Sequence, residues 1–175
     1  ADDGIGRLIP AGLQAQAALG PDWSAWLARL PRLAADQLDD WGLRPDGEPM
    51  HGYCSLVLRV VTADAERAAL KITFDGDDES LHEGLALQRW GGRGAVRLLR
   101  AEPHRRALLL ERLDPTDLSD VWDLEACETV AGLYGLLHVP APPQLTPVPS
   151  YVEGWLADLR ALGADLPIPR RMVQQ

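Results

Sequence analysis

One lysine occurs in these 175 residues, against sixteen arginines. It lies in an apolar run, RAALKITF at residues 67–74, and a glutamate follows it twelve positions later in LHEGLALQRW. A guanidinium is a planar fork of five donors, whereas an ammonium is a compact charge on a flexible stem. A lone ammonium therefore suits a point contact with one oxygen of an anion such as a phosphate. The count alone also fits compositional drift, so the neighbours of Lys71 have to decide.

Those neighbours read as strands. In SLVLRVV the residues Leu56, Leu58 and Val60 alternate onto one face, and after the turn-like TADAE so do Leu70, Ile72 and Phe74. Ala69, Lys71 and Thr73 then occupy the opposite face, where a small residue beside the ammonium leaves room for something flat. A polar turn, DGDDES, leads into a helix, LHEGLALQRWGG. Leu81, Leu85 and Gln88 share one stripe, Glu83, Leu87 and Trp90 the adjacent one, and Gly91 and Gly92 end it. Glu83 is thus expected on an element packed against the lysine strand, close enough to hold the ammonium. Two further strands, AVRLLRA and RALLLERL, follow around the tight connection EPHR.

Upstream, PDWSAWLARLP has the i, i+3, i+4, i+7 spacing of a helix in Trp23, Trp26, Leu27 and Leu30, with Asp22 as N-cap and Pro31 as stop. A second helix is expected through Leu33, Leu38 and Trp41, ending at Gly42. Downstream, a helix before Pro140 should bury Val130, Leu133, Leu136 and Leu137. A further helix should bury Val152, Trp155, Leu156, Leu159 and Leu162, and a third begins near PRRMVQQ.

Composition narrows the partners. A 46% hydrophobic chain of this length can build a core, and a net charge of −9 argues against a nucleic-acid backbone. A cationic or neutral small molecule fits better. No long apolar run predicts a membrane span, and ADDGIGRLIP lacks the pattern of a signal peptide. A cytoplasmic protein with reduced thiols at Cys54 and Cys127 is expected.

Other arrangements carry less chemistry. His51 and Cys54 have a ligand-like spacing, but no second pair completes a zinc site. GYCSL is not a nucleophile elbow. His82 and His104 are placed at a helix start and a hairpin turn, in solvent. The run Asp114, Asp117, Asp120, Asp123, Glu125 and Glu128 could attract a polycation, yet it reads more simply as a solvated helix face. The tryptophans mostly follow helical core spacing.

A lysine on the third of five strands, with a glutamate on the helix inserted after it, resembles the N-terminal lobe of the protein-kinase-like fold. HEGLALQRWGGRGAVRLLRAEPHRRALLLERLDP looks specifically like the aminoglycoside phosphotransferases of the streptomycin 6-kinase and hydroxyurea phosphotransferase group. The resemblance implies an α+β fold. A nucleotide-binding lobe of five antiparallel strands with one inserted helix, preceded by helices, would span residues 1–113. The helical start of a C-terminal lobe would occupy 114–175.

By the same resemblance Lys71 would hold the α- and β-phosphates of ATP, Glu83 would fix Lys71, and Ala69 would lie above the adenine. Gly52 and Ser55 in the turn MHGYCS would lie near the phosphates, although this turn has one glycine where protein kinases carry three. The backbone around Glu111, Arg112 and Leu113 would meet the adenine edge. The family's catalytic His-Gly-Asp loop is absent, since His138 is followed by Val139 and Pro140. The chain therefore reads as a fragment, inactive alone, with its Mg2+ ligands elsewhere. Its substrate would be an aminoglycoside of the streptomycin type or hydroxyurea. The alternative is a non-catalytic nucleotide-binding or interaction module on the same fold.

Overall fold

The computed structural model describes residues 9–161. These residues fall into two compact units, divided after Pro140.

The first unit is α+β, built on an antiparallel sheet. Its long strands are β3 (Ser55–Val61), β4 (Arg67–Thr73), β5 (Leu98–Glu102) and β6 (Ala107–Glu111), in the spatial order β3-β4-β6-β5. Two short strands, β1 (Arg44–Pro45) and β2 (Met50–His51), both pair with the outer edge of β3. The single first strand expected from the sequence is therefore split. Pro45 and Pro49 have no N–H to offer a ladder, and Gly47 between them takes a φ of 127°.

The alternation expected from the sequence sorts the faces. Leu56, Leu58, Val60, Ala68, Leu70, Ile72, Phe74, Ala107 and Leu109 are all buried in one core. Covering them is α2 (Pro21–Asp40), which follows a short α1 (Ala11–Gln14) and buries Trp26, Leu27, Leu30 and Ala34. Trp23 stacks on Phe74 with ring centroids 4.0 Å apart.

Two expectations about this helix are corrected. The N-cap is Gly20, with Pro21 in the first turn and Asp22 inside it, and the helix runs through Pro31 without stopping. An internal proline costs about 3 kcal/mol. Burying Trp26, Leu27 and Leu30 returns roughly 1.5–3 kcal/mol each, so packing on the sheet outweighs the break. The end of the second expected helix, near Gly42, is where α2 closes.

On the other face lies α3 (Glu83–Trp90). It begins two residues later than the sequence stripe, leaving Leu81 exposed before it, and it ends at Gly91 in the left-handed conformation. Leu87 packs with Leu108 and Leu110 in a smaller cluster.

α4 (Asp123–Leu137) does not bury the face expected of it. Val130, Leu133 and Leu136 are exposed, and no residue of this helix is buried. Amphipathic spacing buries a face only where another element covers it, and no described element of the first unit covers the middle of α4. Its C-terminal end is docked, because the Trp90 indole donates to the Leu137 carbonyl at 3.0 Å and Arg89 Nε to that of Pro140 at 3.1 Å. The acidic residues from Asp114 to Glu128 are solvated. In the second unit α5 (Val148–Ala161) likewise exposes Val152, Trp155 and Leu156, against expectation. Leu162 and the expected third helix lie outside the described residues. No helix among the described residues is long and apolar enough to cross a membrane.

Candidate functional site

β4 places Lys71 on the face away from α2, flanked across the ladders by Val57 of β3 and Leu108 of β6. α3 brings Glu83 over the same face. Lys71 Nζ donates to Glu83 Oε1 at 2.6 Å and to Oε2 at 2.8 Å, and both side chains are about a quarter exposed. The ammonium spans both carboxylate oxygens, which fixes its stem while one side remains open to solvent.

The connection between β4 and α3 sets where Glu83 falls, and Arg106 holds that connection. This residue takes a φ of 53° after the short Pro103–Arg105 helix. Its Nη2 donates to the Asp77 carbonyl and lies 3.5 Å from both the Phe74 carbonyl and Ser80 Oγ. Its own carbonyl accepts from the Thr73 amide. Asp77 in turn accepts from the Cys54 thiol at 3.2 Å, joining the connection to the turn at residues 52–54. Burial, reinforced by Asp77, pushes the Cys54 thiol up to about 11. Burial also acts to raise Asp77, but hydrogen bonds from Ser80 and Cys54 and the charge of Arg106 outweigh it, leaving this carboxyl below its ordinary value.

Gly52 and Ser55 shape that turn. The Gly52 amide donates to the Ser55 carbonyl at 2.9 Å, and a Cβ on Gly52 would come within 2.9 Å of Ser55 Oγ. The glycine is needed for this close approach. Ser55 itself is buried, with its hydroxyl turned under Gly52. His51 Nδ1 lies 2.9 Å from the Gly52 carbonyl, so His51 and Cys54 each have a partner other than one another.

Further along the same face Ala69, Leu110, Val96 and Met50 line a cleft closed by residues 111–115. Glu111 Oε1 accepts from the Arg97 amide at 2.7 Å, and Leu113 is exposed. Arg112 is not a free cation. Its guanidinium donates to the carbonyls of Val60 at 2.6 Å and Ala68 at 3.2 Å and to Asp46 Oδ2 at 2.6 Å, with only 10% of the side chain exposed. The hydrogen bond from Arg112 draws the Asp46 carboxyl below its ordinary value. The chain leaving β6 is thereby pinned to both β3 and β4.

Lys71 and Glu83 thus meet, Ala69 and residues 111–113 line one cleft, and Gly52 and Ser55 form the turn. The Arg112 clamp and the Arg106–Asp77–Cys54 clasp had no local signal in the sequence.

An antiparallel sheet, a helix inserted after its lysine strand, and an ion pair between the two define a kinase-like N-terminal lobe. The model of the aminoglycoside/hydroxyurea antibiotic resistance kinase family matches residues 40–166, and the chain belongs to that family. It is 44% identical over 129 residues to a streptomycin 6-kinase of Streptomyces griseus, a match covering 72% of this chain and 42% of the relative. A streptomycin 6-kinase of Streptomyces glaucescens is 42% identical over 128 residues, 71% of this chain and 41% of the relative. A hydroxyurea phosphotransferase of Kitasatospora aureofaciens is 44% identical over 133 residues, 73% and 39% respectively. The chain spans about two fifths of the length of these curated relatives. No solved structure matches it.

Proposed function

We propose that this chain is the ATP-binding side of a small-molecule O-phosphotransferase. The observation that carries the reading is the paired contact of Lys71 Nζ with both oxygens of Glu83, on the face of β4 from which Ala69, two residues before, lines a cleft. A preset ammonium neutralises charge on the α- and β-phosphates without reorganising as the transferring group departs. Ala69 leaves space for the flat base, the backbone of residues 111–113 meets its edge, and the turn at Gly52 covers the phosphates. In this reading residues 1–113 form the nucleotide lobe and residues 114–175 begin the lobe that receives the substrate.

The relatives' names support a streptomycin-type aminoglycoside or hydroxyurea as phosphate acceptor for the whole protein. Magnesium, which the family resemblance implies, finds no group of three His, Cys, Asp or Glu side chains to hold it among the described residues. The aspartate that would orient the acceptor hydroxyl is not part of any His-Gly-Asp sequence in this chain. These residues therefore bind and orient ATP and leave proton transfer from the acceptor to other groups.

Calorimetric titration of the chain with ATP tests this. Lys71→Met should weaken binding by on the order of tenfold or more, as expected for losing a charge-assisted contact, with the melting temperature nearly unchanged. Lys71→Arg should not restore affinity, since the fork cannot take the place of a point contact beside Ala69. Equal affinity of wild type and Lys71→Met for ATP would refute the reading.

A further inference from the structure

Directly across the β3–β4 ladder from Ala69 stands Arg59, and it lines the same cleft. Val57 and Val61 flank it on that face of β3, so a cation sits there among apolar neighbours. Among the described residues no carboxylate lies within ion-pair distance of it. The acid on the adjoining loop, Asp46, is taken by Arg112 at 2.6 Å.

The loop between β1 and β2 holds this guanidinium flat. The Asp46 amide donates to the Arg59 carbonyl at 2.8 Å, and Gly47 follows with a φ of 127°. A Cβ on Gly47 would stand 3.2 Å from Arg59 Nε, 3.3 Å from Cζ and 3.5 Å from Nη2. Nearly equal distances to three bonded atoms put that point over the guanidinium plane and not at its edge, so the loop covers one face. Nε is shut off from solvent without an acceptor, while the residue as a whole stays partly open and lines the cleft. A half-buried guanidinium without a counter-charge still has a favourable partner in a flat π system, which it meets face to face and without an acceptor atom. Arg67 also lines the cleft but is solvated, where such a contact is worth least.

We infer that Arg59 is a base-specificity residue, its guanidinium forming with Ala69 a two-part roof on which the nucleotide's base stacks, so that the site favours a purine over a pyrimidine. The inference rests on the nucleotide reading of this cleft. Side chains directly opposed across an antiparallel ladder have Cβ atoms about 4.5–5.5 Å apart. A single pyrimidine ring beneath Ala69 leaves the guanidinium uncovered, whereas the fused rings of a purine reach both.

Calorimetric titrations of the chain with ATP and CTP, which share sugar and triphosphate, test this. Wild type should bind ATP about tenfold more tightly than CTP. Arg59→Ala should weaken ATP about fivefold and leave CTP nearly unchanged, collapsing most of the preference. Arg59→Lys keeps the stem and the charge but loses the plane, so it should also lose most of the preference, and it decides the matter if Arg59→Ala fails to fold. Lys71→Met should instead weaken both nucleotides equally and preserve their ratio. No effect of Lys71→Met on either nucleotide would remove the nucleotide site itself, and this inference with it. With Lys71→Met effective, a wild type that binds both nucleotides equally, equal losses of ATP and CTP in Arg59→Ala, or a wild-type preference in Arg59→Lys would overturn the role of Arg59 alone.

Discussion

The two faces of β4 differ in everything except their backbone. Ala68, Leu70 and Ile72 are at most 2% exposed and touch other apolar groups, whereas Ala69 lines a cleft, Lys71 pairs with Glu83, and both keep part of their surface in solvent. The pleat separates the two sets by one residue. Stability and chemistry therefore occupy one strand without sharing a side chain, and a substitution should disturb one while sparing the other.

The largest expected effect is on the core face. Leu70→Ala removes a side chain with no exposed surface and should cost about 3 kcal/mol in urea unfolding. Any folded Leu70→Ala protein should still bind ATP with wild-type affinity. A Leu70→Ala variant that stays folded yet loses ATP would break the separation of faces.

A smaller effect is expected at the clamp that joins both faces to the cleft's outer end. Arg112→Ala leaves the carbonyls of Val60 and Ala68 without this donor and should destabilise by about 2 kcal/mol. Unlike Leu70→Ala, it should also weaken ATP binding, because residues 111–113 lose their anchor. The ion pair adds a pH signature. The folded-state pKa of Asp46 lies below its unfolded value, so its contribution is present above the ordinary carboxylate range near 3.8 and is lost as pH falls through the folded value. Acid unfolding profiles of wild type and Asp46→Asn should therefore converge as the pH drops below about 4.

The smallest effect concerns rates. With its thiol raised to about 11 and hydrogen-bonded to Asp77, Cys54 should be alkylated by iodoacetamide at pH 8 far more slowly than exposed Cys127, read by peptide mass spectrometry. Asp77→Asn should speed Cys54 modification by removing the neighbouring carboxylate. Since the folded thiol pKa lies above the ordinary 9.0, whatever stability this contributes is complete below pH 9 and fades as pH rises towards 11.

What could be read in the sequence follows the range of the interactions. The pleat fixes which residues of β4 share a face with Lys71, and the short connection to α3 leaves Glu83 few places to go, so their meeting was legible. Pro31 misled because its local cost is overridden by the packing of Trp26 and Leu30, which the helix spacing shows only as apolar. The burial expected for Val130 and Leu133 failed for the converse reason: periodicity marks a face but not what covers it. Arg112 reaches partners 44, 52 and 66 positions away, and Arg106 ones 26 to 32 positions away. Nothing in LERLDP or EPHRR distinguishes these two arginines from the fourteen others.

The interrupted margin of the sheet has one more consequence. β3 is bordered by two patches of two residues each, with Pro45, Gly47 and Pro49 between or within them, and the opposite margin is broken by a register shift between Leu98 and Arg100. Among the described residues, a second molecule seeking to extend the sheet meets an interrupted border along β3 and an irregular edge strand in β5. Edge-to-edge pairing between copies is thereby disfavoured, although the β4 segment, AALKIT, has the apolar content for it if exposed.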